Sequence, residues 1–236
     1  MFGQLPEGRE RSFYEAMRRY SVRLILRAMI ARQDGFSPAD LGSFSDEAER
    51  KRTIERMADI GIVEEAGGSF RLVKRPVKSF GPTLEWFVAQ MMMDRFGSPS
   101  TWGITFRGIE SGGDFDVISL FEDELIYIEV KSAPPKGIET GEARAFLERV
   151  NTLLPRAAFF FVDTELRMRD RVALLFHQEF LEHMKDPYPQ RPDLKNLAGE
   201  IFHIDHRIFI LNAYRDAAAN FTLCFRDFLA RGLSVL

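Results

Sequence analysis

The chain has 236 residues, 45% of them hydrophobic and 28% charged, which excludes a disordered protein and allows one large domain or two modest ones of roughly 100–200 residues. A single cysteine, Cys224, excludes a disulfide framework and a cysteine-rich zinc site, and points to a reducing cytoplasm. Net charge is −3, and it is unevenly spread: residues 1–80 carry 15 Lys/Arg against 12 Asp/Glu, residues 81–236 carry 17 against 23. No stretch reaches the roughly 18 apolar residues needed to span a bilayer. The opening Met1–Glu10 lacks the apolar core of a signal peptide, so a soluble, cytoplasmic protein with no membrane partner is expected.

Phe13, Met17, Tyr20, Leu24 and Met29 recur near a 3.6-residue period and predict one helix over 11–32, with arginines on its other face. Ser37-Pro38 opens a short helix through Leu41. A third helix starts at Ser45 or Asp46 and stops at Gly61; strands 62–66 and 69–73, joined by Gly67-Gly68, then predict a hairpin. Over residues 11–76 this layout resembles a winged helix-turn-helix domain, which assigns residues 1–80 to it. Arg50, Lys51, Arg52 and Arg56 on the third helix, with Arg71, Lys74 and Arg75 on the wing, are the cations to set against DNA phosphates. A solvated face in a homodimerisation or protein-docking module explains the same charges.

Lys78–Pro82 punctuates the chain, and residues 81–236 form the second expected domain. The pattern predicts a helix over 83–96, strands over 103–107, 114–121 and 125–131, and a helix over 140–153. A very apolar strand 157–162, a helix 165–184, a proline-bearing loop 186–194, a strand 207–211 and a helix 214–231 complete it. This is an α/β arrangement with a mixed sheet flanked by helices.

The informative segment is Asp114–Lys131, read as a hairpin turning at Glu122-Asp123. Alternation puts Leu125, Tyr127, Glu129 and Lys131 on one face. With a two-residue turn, Asp116 lies opposite Glu129 and Asp114 opposite Lys131, crowding three carboxylates and an ammonium into one patch. Such crowding is destabilising unless something intervenes, and a divalent cation with hard oxygen ligands is the obvious candidate. A surface ion-pair ladder and, for Asp114, a solvated hairpin edge are the plainer readings.

These residues resemble the PD-(D/E)XK phosphodiesterase superfamily, the restriction-endonuclease-like nucleases: Asp116-Val-Ile, a hairpin, then Glu129-Val-Lys131 closing an apolar strand. Phe115 stands where the pattern's proline would precede the aspartate. The resemblance covers residues 81–163 and implies that Asp116, Glu129 and the Val130 carbonyl hold Mg²⁺ or Mn²⁺. By the same resemblance Lys131 assists water attack, and Glu85, on the first core helix, reaches the site. Glu85 also suits a first helical turn by its charge alone. The expected function is metal-dependent hydrolysis of DNA phosphodiesters. The alternative is a non-cutting DNA-binding or scaffold protein on the same fold.

Remaining features reduce mainly to structure. Lys136 and Arg144 follow the site and are available to phosphate, although a solvated helix face explains Arg144 equally well. His203 and His206 flank Asp205 just before a strand, a spacing that predicts opposite faces with no evident third ligand, so zinc is not expected. His177 and His183 are scattered, Met91–Met93 reads as core packing, and Cys224 as a buried apolar residue. No phosphate-binding glycine loop appears, so neither ATP nor NAD is expected.

Overall fold

The computed structural model describes residues 5–107, 114–183 and 193–232. Two compact units divide the chain, Met1–Phe87 and Val88–Leu236. The division falls inside the helix that follows Gly81-Pro82.

In the first unit the single expected helix is two, α1 (Glu10–Met17) and α2 (Tyr20–Ala31). Arg19 between them is extended (φ −81°, ψ 127°). The cause is Arg23, expected on the solvent face but 1% exposed. Its guanidinium donates to the carbonyls of Met17 at 2.6 Å and Arg18 at 3.2 Å, satisfying the acceptors that a helix end leaves open. It also lies over the rings of Tyr20 and Phe87. Periodicity cannot see such a break, because the apolar stripe continues through it.

A short 3₁₀ turn, Pro38–Leu41, is held by Ser37 and Asp40. Helix α3 (Glu47–Ile60) is capped by the Asp46 carboxylate, which accepts the Glu49 N–H at 2.6 Å, and ends at Gly61, whose φ of 86° suits a residue without a β-carbon. Strands β1 (Val63–Ala66) and β2 (Ser69–Leu72) pair antiparallel about Gly67-Gly68. Phe36 bridges Phe70 beside them.

Helix α4 (Gly81–Phe96) leads into the second unit, whose described residues form a seven-stranded mixed sheet. Its strands are β3 (Ser100–Ile104), β4 (Phe115–Phe121), β5 (Glu124–Lys131), β6 (Ala157–Val162), β7 (Leu194–Ala198), β8 (Ile201–Ile204) and β9 (Ile208–Asn212), in the order β3-β4-β5-β6-β9-β8-β7. β5, β6 and β9 run parallel, and the two flanking meanders are antiparallel. Helix α5 (Thr140–Leu153) makes the β5–β6 crossover, α6 (Leu174–His183) follows β6, and α7 (Ala217–Asp227) follows β9.

Phe159, Phe160 and Phe161 alternate between the two sheet faces. Phe160 packs with Phe146 and Phe176 under α5 and α6, while Phe159 meets Phe209, Phe221 and Phe225 under α7. A strand covered on both faces reads as an unbroken apolar run.

Several boundaries move. β3 starts at Ser100 because the chain turns at Gly97 and the Ser100 hydroxyl bonds that of Ser119. The expected 165–184 helix forms only from a π-helical turn at Arg169 onward, since the Glu200 carboxylate takes the N–H groups of Met168 and Arg169. β7 and β8 were not expected, and Leu194 opens a strand where the 186–194 loop was read; residues 186–192 lie outside the described residues. No helix among the described residues is long and apolar enough to cross a membrane.

Candidate functional site

The hairpin between β4 and β5 turns at Glu122-Asp123, both at positive φ (50° and 62°), as a primed two-residue turn requires. Its register runs from Phe121↔Glu124 to Val117↔Ile128, which is the pairing expected from the sequence. One position further, where Asp116 would face Glu129, the Asp116 carboxylate accepts the Val130 N–H at 2.7 Å. Asp116 is thereby fixed against β5 beside Glu129.

Glu129 is 2% exposed and is the centre of the cluster. Tyr127, two residues earlier on the same face, donates its hydroxyl to Oε2. Arg149, from α5, donates Nη1 to Oε1 at 3.1 Å and to Oε2 at 2.9 Å. Lys131 Nζ lies 2.9 Å from Oε1 and 3.2 Å from Glu142 Oε1 on the first turn of α5. A carboxylate offers about four lone-pair positions, so Glu129 is saturated by these contacts.

The protonation states follow. Burial acts against the charged form of Lys131, but Glu129, Glu142 and Asp116 outweigh it and hold the ammonium above the usual lysine range. The balance at Arg149 has the same sign, burial opposed by Glu129, Tyr127 and Asp116. Burial, then the Glu129 charge, pushes the Tyr127 phenol well above its ordinary value, so it stays a donor. Three carboxylates (Asp116, Glu129, Glu142) thus face two cations.

Asp116 and Glu129 offer the hard oxygens that Mg²⁺ or Mn²⁺ takes, so the donor set fits such an ion in kind. An ion held by Glu129 would take the place of Arg149 or Lys131 at one oxygen.

Asp116, Glu129 and Lys131 are therefore brought together, and Val130 joins them through its backbone. Asp114 is exposed and accepts the Thr105 hydroxyl at 2.6 Å, as a hairpin edge does. Glu85 is half-buried on the first turns of α4 and belongs to the first unit. Lys136 is exposed in the turn Pro135–Gly137. Arg144 pairs with Glu179 at 3.0 Å.

On α3, Arg50 Nη1 donates to Gly42 O at 2.7 Å and also to Ser45 O, and Arg56 donates to Ser12 O. Lys51 pairs with Glu47, and Arg71 on the hairpin with Glu64. Arg52 and Lys74 are exposed with no partner among the described residues.

Sequence reasoning missed Tyr127, Glu142 and Arg149 as site residues. Tyr127 was signalled by alternation, and Glu142 and Arg149, seven apart, share one face of α5; only the crossover shows that this face covers Glu129.

The expected placement of the two histidines on opposite faces, with no third ligand near, is overturned. His203 on β8, His206 in the following turn and Asp227 at the end of α7 each bring one donor atom within 4.8 Å of the others. Asp205 and His206 both take positive φ (52° and 57°), so the chain folds back and the two rings stack at 4.1 Å. A regular strand would have separated them.

The chain matches no protein-family model and no curated protein. Among solved structures, protein VC1899 from Vibrio cholerae is similar at a TM-score of 0.47 and 18% identity, over 72% of this chain and 52% of that one. The present chain thus spans about half the length of that protein, a distant likeness.

Proposed function

We propose that the chain is a divalent-metal-dependent nuclease that hydrolyses DNA phosphodiester bonds on a restriction-endonuclease-like core. The observation that carries this reading is the convergence of Asp116, Glu129 and Lys131 on adjacent strands of the run α4-β3-β4-β5-α5-β6. That order of helix, three antiparallel strands, crossover helix and parallel strand is the one the resemblance implies. Asp116 and Glu129, with the Val130 carbonyl, would hold Mg²⁺ or Mn²⁺. When bound, such an ion polarises a phosphoryl oxygen and makes hydroxide available near neutral pH. Lys131, 2.9 Å from Glu129, would assist water attack and stabilise charge on the phosphate.

The helices α2 and α3, the Phe36–Phe70 bridge and the β1–β2 hairpin support a winged-helix reading of the first unit. Arg52 on α3 and Lys74 after the hairpin, both exposed, are among the cations available for DNA phosphate without breaking an existing pair.

One observation favours the non-cutting alternative: both oxygens of Glu129 are already engaged by Tyr127, Arg149 and Lys131. The test is incubation of plasmid and single-stranded DNA with Mg²⁺, Mn²⁺ or EDTA, beside Asp116→Ala and Lys131→Ala. Metal-dependent cleavage lost in both variants establishes the nuclease. DNA bound but never cut by the wild type transfers the reading to the binder.

A further inference from the structure

We propose that His203, His206 and Asp227 bind a transition-metal ion of the Zn²⁺ class, as a three-ligand site with one position left for water or an exogenous ligand. The inference does not rest on the nuclease reading. β8 is separated from β5 by β9 and β6, about 14 Å of sheet at the usual strand spacing.

Each ligand is placed by a different constraint. His203 sits within β8, paired with Phe209 on β9 and Lys195 on β7, and is 4% exposed. His206 is returned over it by the left-handed residues of the β8–β9 turn, a conformation that Asp and His tolerate better than most side chains. Asp227 closes α7, and its side chain is 10% exposed. One donor atom from each lies within 4.8 Å of the other two. Bonds of roughly 2.0–2.2 Å to tetrahedral zinc set donors about 3.4 Å apart, so the three side chains must draw together on binding.

Hydrogen bonding defines the lone pairs. His203 Nδ1 accepts the His206 N–H at 3.1 Å, so it carries no proton, and its lone pair turns to a metal as that hydrogen bond is released. His206 Nδ1 lies 2.6 Å from Asp227 Oδ2, the pairing of an imidazole with a carboxylate. If the His206 proton moves to Nε2, Nδ1 and Asp227 are both free to ligate.

The donor chemistry selects the ion. Two imidazoles and a carboxylate suit Zn²⁺ and its neighbours, whereas Mg²⁺ and Ca²⁺ take oxygen ligands. Two imidazoles with one carboxylate and a fourth position open is the composition of catalytic rather than closed structural zinc sites. Lys195, across from His203, and Arg231, 4.0 Å from Asp227, add positive charge and weaken binding relative to thiolate sites.

The experiment uses the full, tag-free chain, stripped with chelator and titrated with Zn²⁺ against a chromogenic competitor, with Co²⁺ as the spectroscopic probe. The expected result is one equivalent bound by the wild type and by Asp116→Ala. In His206→Gln and in Asp227→Asn affinity falls about tenfold or more, with unchanged far-UV circular dichroism and without the visible bands of tetrahedral Co²⁺. Should one of these variants fail to fold, the other carries the comparison. Zn²⁺ protection of the wild-type histidines from diethyl pyrocarbonate serves where neither folds. No binding by the wild type overturns the proposal. So does binding unaffected in both folded variants, or binding lost in Asp116→Ala, which would move the ion to the acidic cluster.

Discussion

Neutralising Glu129 probes the cluster most directly. Glu129→Gln keeps the side-chain shape but replaces an acceptor oxygen by an amide that faces donors already in place: the Tyr127 hydroxyl, Arg149 Nη1 and Lys131 Nζ. Breaking a buried ion pair by removing one partner costs about 3–5 kcal/mol. Here Arg149 is 12% and Lys131 21% exposed, and Glu142 stays 3.2 Å from Lys131. Solvent and Glu142 offset part of the loss, leaving about 2–3 kcal/mol. Urea unfolding of the intact chain, followed by far-UV circular dichroism at unchanged m-value, measures it. Arg149→Met should cost less, about 1–2 kcal/mol, because Glu129 keeps Lys131 and Tyr127. Added to Glu129→Gln it should cost almost nothing, giving a coupling of about 1–2 kcal/mol in the double-mutant cycle. A loss below about 0.5 kcal/mol for Glu129→Gln, or strict additivity, would refute the ion network. A gain in stability would show instead that the carboxylate is kept at the fold's expense for a ligand.

Two further outcomes are expected. Replacing Glu122-Asp123 by Asn-Gly should stabilise the second unit by about 1 kcal/mol, since both positions hold positive φ; thermal melting checks it, and a loss would contradict the turn geometry. Burial, followed by the Asp227 charge, raises the Cys224 thiol well above its ordinary value. Iodoacetamide at pH ~8 should therefore leave the native chain unmodified and add one equivalent in guanidinium, as mass spectrometry would read.

The hairpin was legible because its information is local. Alternation through Tyr127, Glu129 and Lys131 and a polar two-residue turn fix the register, and register alone brings Asp116 to Glu129. The apolar run of β6, the Asp46 cap and the Gly61 stop are local signals of the same kind. Strands β7 and β8 carried no comparably clean pattern: β8 is buried on both faces, so alternation is lost, and β7 shifts register between Asn196 and Ala198. The break at Arg19 came from a buried guanidinium that periodicity counts as a solvent-facing charge.

Sequence by itself thus determined which stretches become strands and helices in most of the chain, and which three side chains share the end of one hairpin. Tertiary structure decided what surrounds them. Arg149 reaches Glu129 from 20 residues away, and Asp227 reaches His206 from 21, in each case by a helix laid over the sheet. Periodicity reports which face of a helix is buried; which strand residues that face will meet depends on how the crossover packs, and that is settled only by the close fit of the folded core.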